Sequence, residues 1–236
     1  MDWSDEGIFL SAKPLGEANM VAEFLTLAHG RHLGLVRGGR SRRMRVTWRA
    51  RLAEHLGGFN VELMEAHAAR VLDDARALSA ISTLVGLARL LPERDPHQGL
   101  YAAALGVLRS LDHAELWPPL LVRWELQLLG DLGFGLDLTE CAATGADVDL
   151  AYVSPRSGRA VSRDAGQPYC SKLLKLPAFL LDDEAAASNA DILSGLALTG
   201  HFLERDVLAP HGLVMPQARE RLISLLGRTQ AAARSA

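Results

Sequence analysis

Apolar and polar positions follow one period before about residue 70 of this chain and another after it. In the first stretch, short apolar runs are broken by turn residues. Residues 7–12 predict a strand halted by Pro14 and Gly16, because proline removes a ladder donor. Residues 19–27 predict a second strand, and His29-Gly30 turns the chain into a third over 32–36. Residues 46–56 and 59–65 predict two more, parted by Gly57-Gly58. Five short strands with no long helix between them predict a small barrel.

Beyond residue 70 the apolar residues recur in steps of three and four. Leu78, Ile81, Leu84, Val85, Ala88 and Leu91 define one face of a helix over 73–91, ended by Pro92. A second helix is predicted over 96–111. Pro118-Pro119 opens a third that runs through Leu129; it is apolar around most of its circumference and should be the most buried, with Gly133 and Gly135 stopping it. Ser188 or Asn189 caps a further helix to about 206, and Pro216 opens a last one to 226. The tail from Thr229 lacks large apolar anchors and is expected to fray. Between the helices, residues 141–177 read as an inserted, turn-rich module, in which 150–153 and 159–161 flank the turn Ser154-Pro155-Arg156-Ser157-Gly158. The expected class is α+β in two domains, a five-stranded barrel over 1–70 and a helical domain over 71–236.

Charge sharpens this picture. Arg31, Arg37, Arg40, Arg42, Arg43, Arg45, Arg49 and Arg51 crowd into 21 residues without one Asp or Glu. The whole chain carries a formal −3, so without these eight the remainder carries −11. Positive charge is therefore concentrated on one element. A partner with repeating negative charge fits it, since guanidinium is always ionised and forks onto phosphate oxygens; a solvated basic loop is the plainer reading. Gly38 and Gly39 let the backbone turn and approach a ligand closely. Trp48, among the arginines, has two readings: a platform for a stacked base, or a barrel-core residue.

Composition excludes some classes and leaves others. With 49% hydrophobic residues in 236, the chain can bury a core. The acidic start Met1-Asp2-Trp3-Ser4-Asp5-Glu6 is unlike a signal peptide, and no run of about 18 apolar residues occurs, so a cytosolic location is expected. Cys141 and Cys170 read as free thiols or as remnants of a metal site. There is no Walker-type phosphate loop, no His-Glu-x-x-His and no Gly-x-Ser-x-Gly elbow. Glu93, Asp95 and His97 are the one compact titratable cluster, and their place between two helices fits capping better than catalysis. No enzyme is expected.

Several segments in order resemble the RecO family of bacterial recombination mediators and DNA repair proteins: Gly30-Arg31 through Leu35-Val36-Arg37-Gly38-Gly39-Arg40, Leu91-Pro92-Glu93-Arg94-Asp95-Pro96-His97 through Leu100-Tyr101, Leu129-Gly130-Asp131-Leu132-Gly133-Phe134-Gly135-Leu136-Asp137-Leu138 leading into Cys141, and the run from Ala151 to Ser162. The resemblance implies an N-terminal OB-fold, a helical domain carrying the small module, and no covalent chemistry. It further implies binding of single- and double-stranded DNA, strand annealing, and work with RecR to load RecA onto DNA coated by single-strand binding protein, in a cytoplasmic, nucleoid-associated setting. The DNA-binding residues expected on this basis are Arg31, Arg37, Arg40, Arg42, Arg43, Arg45 and Arg49. Many relatives bind structural zinc through four cysteines in the module; this chain has Thr144 three positions after Cys141, a lone Cys170 and no histidine between His113 and His201, so no zinc or other cofactor is expected. Relatives also hold the acidic, Phe-ended tail of single-strand binding protein on the helical domain, which makes Arg123 the candidate for that contact; the alternative pairs it with Glu125 or Asp131. A protein-interaction adaptor and an RNA-binding OB protein are the alternative functions.

Overall fold

The computed structural model describes residues 1–16, 19–36, 43–52, 55–65 and 70–235, the side chains of Arg43, Leu63 and 229–235 excepted. Two compact units result, Met1–Ala114 and Glu115–Ala236.

In the first unit, β1 (Asp2–Leu15), β2 (Asn19–Thr26), β3 (Gly30–Val36), β4 (Arg43–Arg49) and β5 (Gly58–Glu65) close into a barrel in the order β1-β2-β3-β5-β4. This is the five-stranded architecture of an OB-fold, antiparallel throughout except where β3 meets β5. Strand β3 shows why these residues pair: Gly30, His32, Gly34 and Val36 are buried and alternate with less buried Arg31, Leu33 and Leu35. At Gly34 a side chain would stand 2.6 Å from the Phe59 ring, so glycine is what lets the aromatic core close. That core contains Ala22, Phe24, Val36, Met44, Val46, Trp48 and Phe59.

Two strand boundaries differ from expectation for identifiable reasons. β1 passes through Pro14 to Leu15; among the described residues β4 pairs with its first half alone, Asp2 to Ile8, so on that side the missing N–H of Pro14 costs no described ladder bond. A bulge between Phe9 and Ser11 lets the same strand serve both neighbours. β4 begins at Arg43 and ends at Arg49, seven residues before the expected 56, because its partner runs out at Asp2.

Helices α1 (Ala75–Ala88) and α2 (Gln98–Arg109) share the barrel's compact unit. Asp74 caps α1 by accepting from the Arg76 and Ala77 N–H groups. The division at Ala114 departs from the boundary expected at 70, and the cause lies on β2. Glu23, 4% exposed, accepts from Ser11 Oγ at 2.8 Å, Arg89 Nε at 2.7 Å and the Arg31 guanidinium. Arg31 Nε also donates to the Leu91 carbonyl at 2.6 Å, and Arg94 N to the Arg31 carbonyl at 2.8 Å. The first helix and the turn after it are thus hydrogen-bonded onto the barrel wall.

The second unit is built on α3 (Trp117–Asp131), whose Trp117, Leu121, Val122, Trp124, Leu128 and Leu129 are buried, as the apolar circumference predicts. The inserted module forms a small sheet, order β7-β6-β8, from β6 (Leu150–Val153), β7 (Ala160–Ser162) and β8 (Leu174–Lys175), with the short α4 (Arg163–Gly166) between the last two. Helix α5 (Asn189–Phe202) starts on a Ser188/Asp191 capping box and leads into a π-turn, Leu203–Leu208. Helix α6 (Gln217–Ser235) continues through the tail expected to fray, whose alanines favour helix.

A buried ion pair ties α3, α5 and α6. Arg219 Nε and Nη2 donate to Glu125 Oε1 and Oε2, both at 2.8 Å, and Nη2 also donates to the Leu196 carbonyl at 2.6 Å. Thr199 Oγ1 donates to Glu125 as well. With Glu125 at 0% and Arg219 at 4% exposure, both charges are removed from water and their bonds are what compensates them.

Candidate nucleic-acid interface

Strand parity decides where the basic run points. Met44, Val46 and Trp48 of β4 enter the core, so Arg45, Thr47 and Arg49 face outward at intervals of about 7 Å. The outer face continues onto both neighbours. Thr47 and Ser4 of β1 share a hydroxyl hydrogen bond of 2.7 Å, and Thr47 stands opposite Asn60 of β5. Each exposed arginine meets a carboxylate across the strand: Arg45 with Glu62 at 3.8 Å, Arg49 with Asp2 at 3.7 Å. At 59% and 77% side-chain exposure these pairs are wet and worth about 0–1 kcal/mol, so a phosphate can displace either carboxylate at small cost. Arg51 follows, exposed and without an ion pair among the described residues. Arg37, Arg40 and Arg42 lie outside the described residues, and of Arg43 the backbone alone is described, paired with Ile8 and Glu65.

Two of the sequence candidates are placed differently. Trp48 is 2% exposed, donates Nε1–H to the Leu56 carbonyl at 3.0 Å and packs between Trp3 and His32, so it has no free face for a base. The core reading of Trp48 replaces the stacking one. Arg31 faces Glu23, Leu91 and Glu93, with 16% of its side chain exposed, and its charge is spent inside the unit.

A cleft of about 430 Å³ opens at the barrel seam, a feature without a local signal along the chain. Among the described residues β3 and β5 pair at two positions, Leu35 with Gly58 and Val36 with Phe59. Asn19, Leu35, Val36, Asn60 and Val61 line the opening together with Gly58 and Phe59. Exposed amides at its rim and apolar walls behind them can accept a flat polar ring. The strand β3 side and the loops before β2 and β5 are where OB-folds take oligonucleotides. Close by in the core, His32 has its pKa lowered, chiefly because burial disfavours the imidazolium.

With this geometry in view, two family models match the chain, Recombination protein O N terminal over residues 1–61 and Recombination protein O C terminal over 72–213. The chain belongs to the RecO family. It is 50% identical to the DNA repair protein RecO of Methylobacterium nodulans, the match covering 95% of this chain and 98% of that one. The DNA repair protein RecO of Chelativorans sp. is 51% identical, with 97% and 96% covered, and that of Rhodopseudomonas palustris 48%, with 97% of each. The two RecO models divide close to residue 70, whereas the packing carries α1 and α2 with the barrel.

In the C-terminal RecO region, Arg123 pairs with neither Glu125 nor Asp131. Its Nε and Nη2 donate to the Phe179 carbonyl at 3.0 and 2.7 Å, its Nη1 lies 2.9 Å from Asp183, and its guanidinium sits 5.9 Å from the Phe179 ring centroid. Asp183 is 89% exposed, so this carboxylate is the replaceable partner. Cys141 is buried and Cys170 exposed. Burial pushes the Cys141 thiol up, but hydrogen bonds from Ser162 and Thr144 outweigh it and bring the pKa to about 6. Among the described residues, no three His, Cys, Asp or Glu side chains gather as a metal site would require.

Proposed function

We propose that this protein is a non-enzymatic DNA-binding recombination mediator of DNA repair. It binds single- and double-stranded DNA, anneals complementary strands and acts with RecR to load RecA onto DNA coated by single-strand binding protein. The observation that carries the reading is the outward row Arg45, Thr47, Arg49 on β4, continuing at both ends into arginine-rich segments of an otherwise acidic chain. The names of the relatives, DNA repair protein RecO, support it. A sequence-tolerant mediator needs cations that neutralise phosphate and a groove that accepts any base, and the β4 face and the seam cleft supply the two. Held strands repel one another, and a cationic face lowers that repulsion. Arg123 would take the carboxylate of the acidic partner tail in place of Asp183. No bound zinc is part of the proposal, and no described helix is long and apolar enough to cross a membrane.

Salt titration tests it. If about five phosphates are neutralised, log affinity for single-stranded DNA against log salt should have a slope of roughly −3.5. Arg45→Ala with Arg49→Ala should flatten it by about 1.4. The cross-strand carboxylates Glu62 and Asp2 favour a second reading, a protein-interaction adaptor with incidental DNA binding. An unchanged slope in the double variant and in Arg40→Ala/Arg42→Ala/Arg43→Ala would select that reading.

A further inference from the structure

The inserted module presents a surface that neither the barrel nor Arg123 uses. Residues 165–181 contain Lys172 and Lys175 and no Asp or Glu, in a chain whose one other lysine is Lys13. Around them five arginines of the second unit are paired: Arg123 is held by Asp183, Arg159 by Asp137 and Glu140, Arg163 by Asp149, Arg205 by Asp206 and Arg219 by Glu125. Lys172 and Lys175 are exposed and make no ion pair among the described residues. Beside them Tyr169 leaves 60% of its surface in water.

Local geometry brings ring and cation to one side. Gln167–Lys172 is a 3-10 helix, in which side chains three apart eclipse, so Tyr169 and Lys172 stand one above the other about 6 Å apart. The segment is anchored at both ends. Gly166 lies so close to the Tyr152 ring that a side chain there would come to 2.5 Å of it, and β8 fixes Lys175 opposite Tyr152 on β6.

We propose that Tyr169, Lys172 and Lys175 form a second contact for single-stranded nucleic acid, in which the tyrosine ring stacks on a base and the two ammonium groups engage the phosphates alongside it. The proposal rests on the nucleic-acid reading above for its ligand class and adds a site remote in sequence from the barrel. Stacking without base-specific hydrogen bonds is tolerant of sequence, and a ring one helical turn from a cation matches the alternation of base and phosphate along a strand. Lysine suits this role as a mobile point charge that follows a flexible backbone.

The experiment uses the full chain and a fluorescent oligothymidylate. Tyr169→Ala should weaken binding about tenfold with an unchanged salt slope, and Tyr169→Phe should restore it, because a stack carries no net charge. Lys172→Ala with Lys175→Ala should instead flatten the slope by about 1.4. Cys170, the exposed thiol between the two side chains, gives a local readout: saturating oligonucleotide should slow its alkylation, followed by peptide mass spectrometry. Parental affinity in both variants, together with Cys170 alkylated equally fast with and without oligonucleotide, overturns the proposal. If the barrel variants alone lose binding, the module site fails while the DNA reading stands; if the parent binds no oligonucleotide, both fail. Variants that keep oligothymidylate affinity but lose a polyglutamate peptide would overturn it in favour of an acidic protein partner.

Discussion

Arg219→Ala should be among the most destabilising single changes in the second unit, although the residue lies far from the barrel in sequence. Its removal leaves the Glu125 carboxylate at 0% exposure with the Thr199 hydroxyl as its remaining bonded partner, and takes a donor from the Leu196 carbonyl. Breaking a buried pair on one side costs about 3–5 kcal/mol, several times what an exposed pair such as Arg45–Glu62 contributes. Replacing both charges, Glu125→Leu with Arg219→Met, removes the buried charge altogether and should recover most of that loss. Trp117 and Trp124 lie on the same helix as Glu125 and are buried, so denaturant unfolding followed by tryptophan fluorescence in a background with Trp3 and Trp48 replaced by Phe reports on this core. The midpoint should fall sharply in the single variant and return towards the parental value in the double variant. A loss under about 1 kcal/mol for Arg219→Ala would refute the reasoning, because it would mean that water reaches Glu125 and replaces the guanidinium.

Three further outcomes are expected. The His32 pKa is lowered by folding, so the stability linked to it is complete above the ordinary value of 6.5 and is lost as pH falls below it; unfolding at pH 7.5 and 5.5 should show this loss in the parent and a smaller one in His32→Leu. Elemental analysis of protein purified without chelator should give far less than one zinc per chain; stoichiometric zinc surviving dialysis would overturn that expectation. Arg123→Ala should weaken binding to an acidic peptide ending in Phe by at least about tenfold while leaving affinity for naked DNA at the parental level, measured by fluorescence anisotropy.

What could be read in the sequence was what depends on neighbours a few residues away. The His29-Gly30 turn located β3 at 32–36, steps of three and four located α1, and the prolines with an apolar circumference located α3. The outward direction of Arg45 and Arg49 needed the true start of β4, since moving a strand by one residue exchanges its faces. With that start, parity sends Trp48 inward. Partners distant in the chain were invisible: Glu23 meets Arg89 across 66 positions, and Arg219 meets Glu125 across 94. Nothing local distinguishes such a charge from a solvated one. The seam cleft arises where barrel closure brings β3 against β5, and closure has no signature in either strand alone. For Tyr169 the signal was present as an acid-free, lysine-bearing stretch, but its exposure depends on the 3-10 turn that lifts it from the module.

Glu23 also determines where this protein can be divided. A fragment ending near residue 70 would keep Glu23 and Arg31 but lose Arg89 and the Leu91 carbonyl, exposing a strand face that evolved under a helix. Such a piece would display β-strand backbone and half-satisfied charges on one wall, the features that favour edge pairing and aggregation. Cutting after Ala114 instead keeps α1 and the turn beyond it on the barrel. The smallest portion of the molecule suited to structural work on isolated oligonucleotide binding therefore runs to Ala114, well beyond Glu65 where the last barrel strand ends.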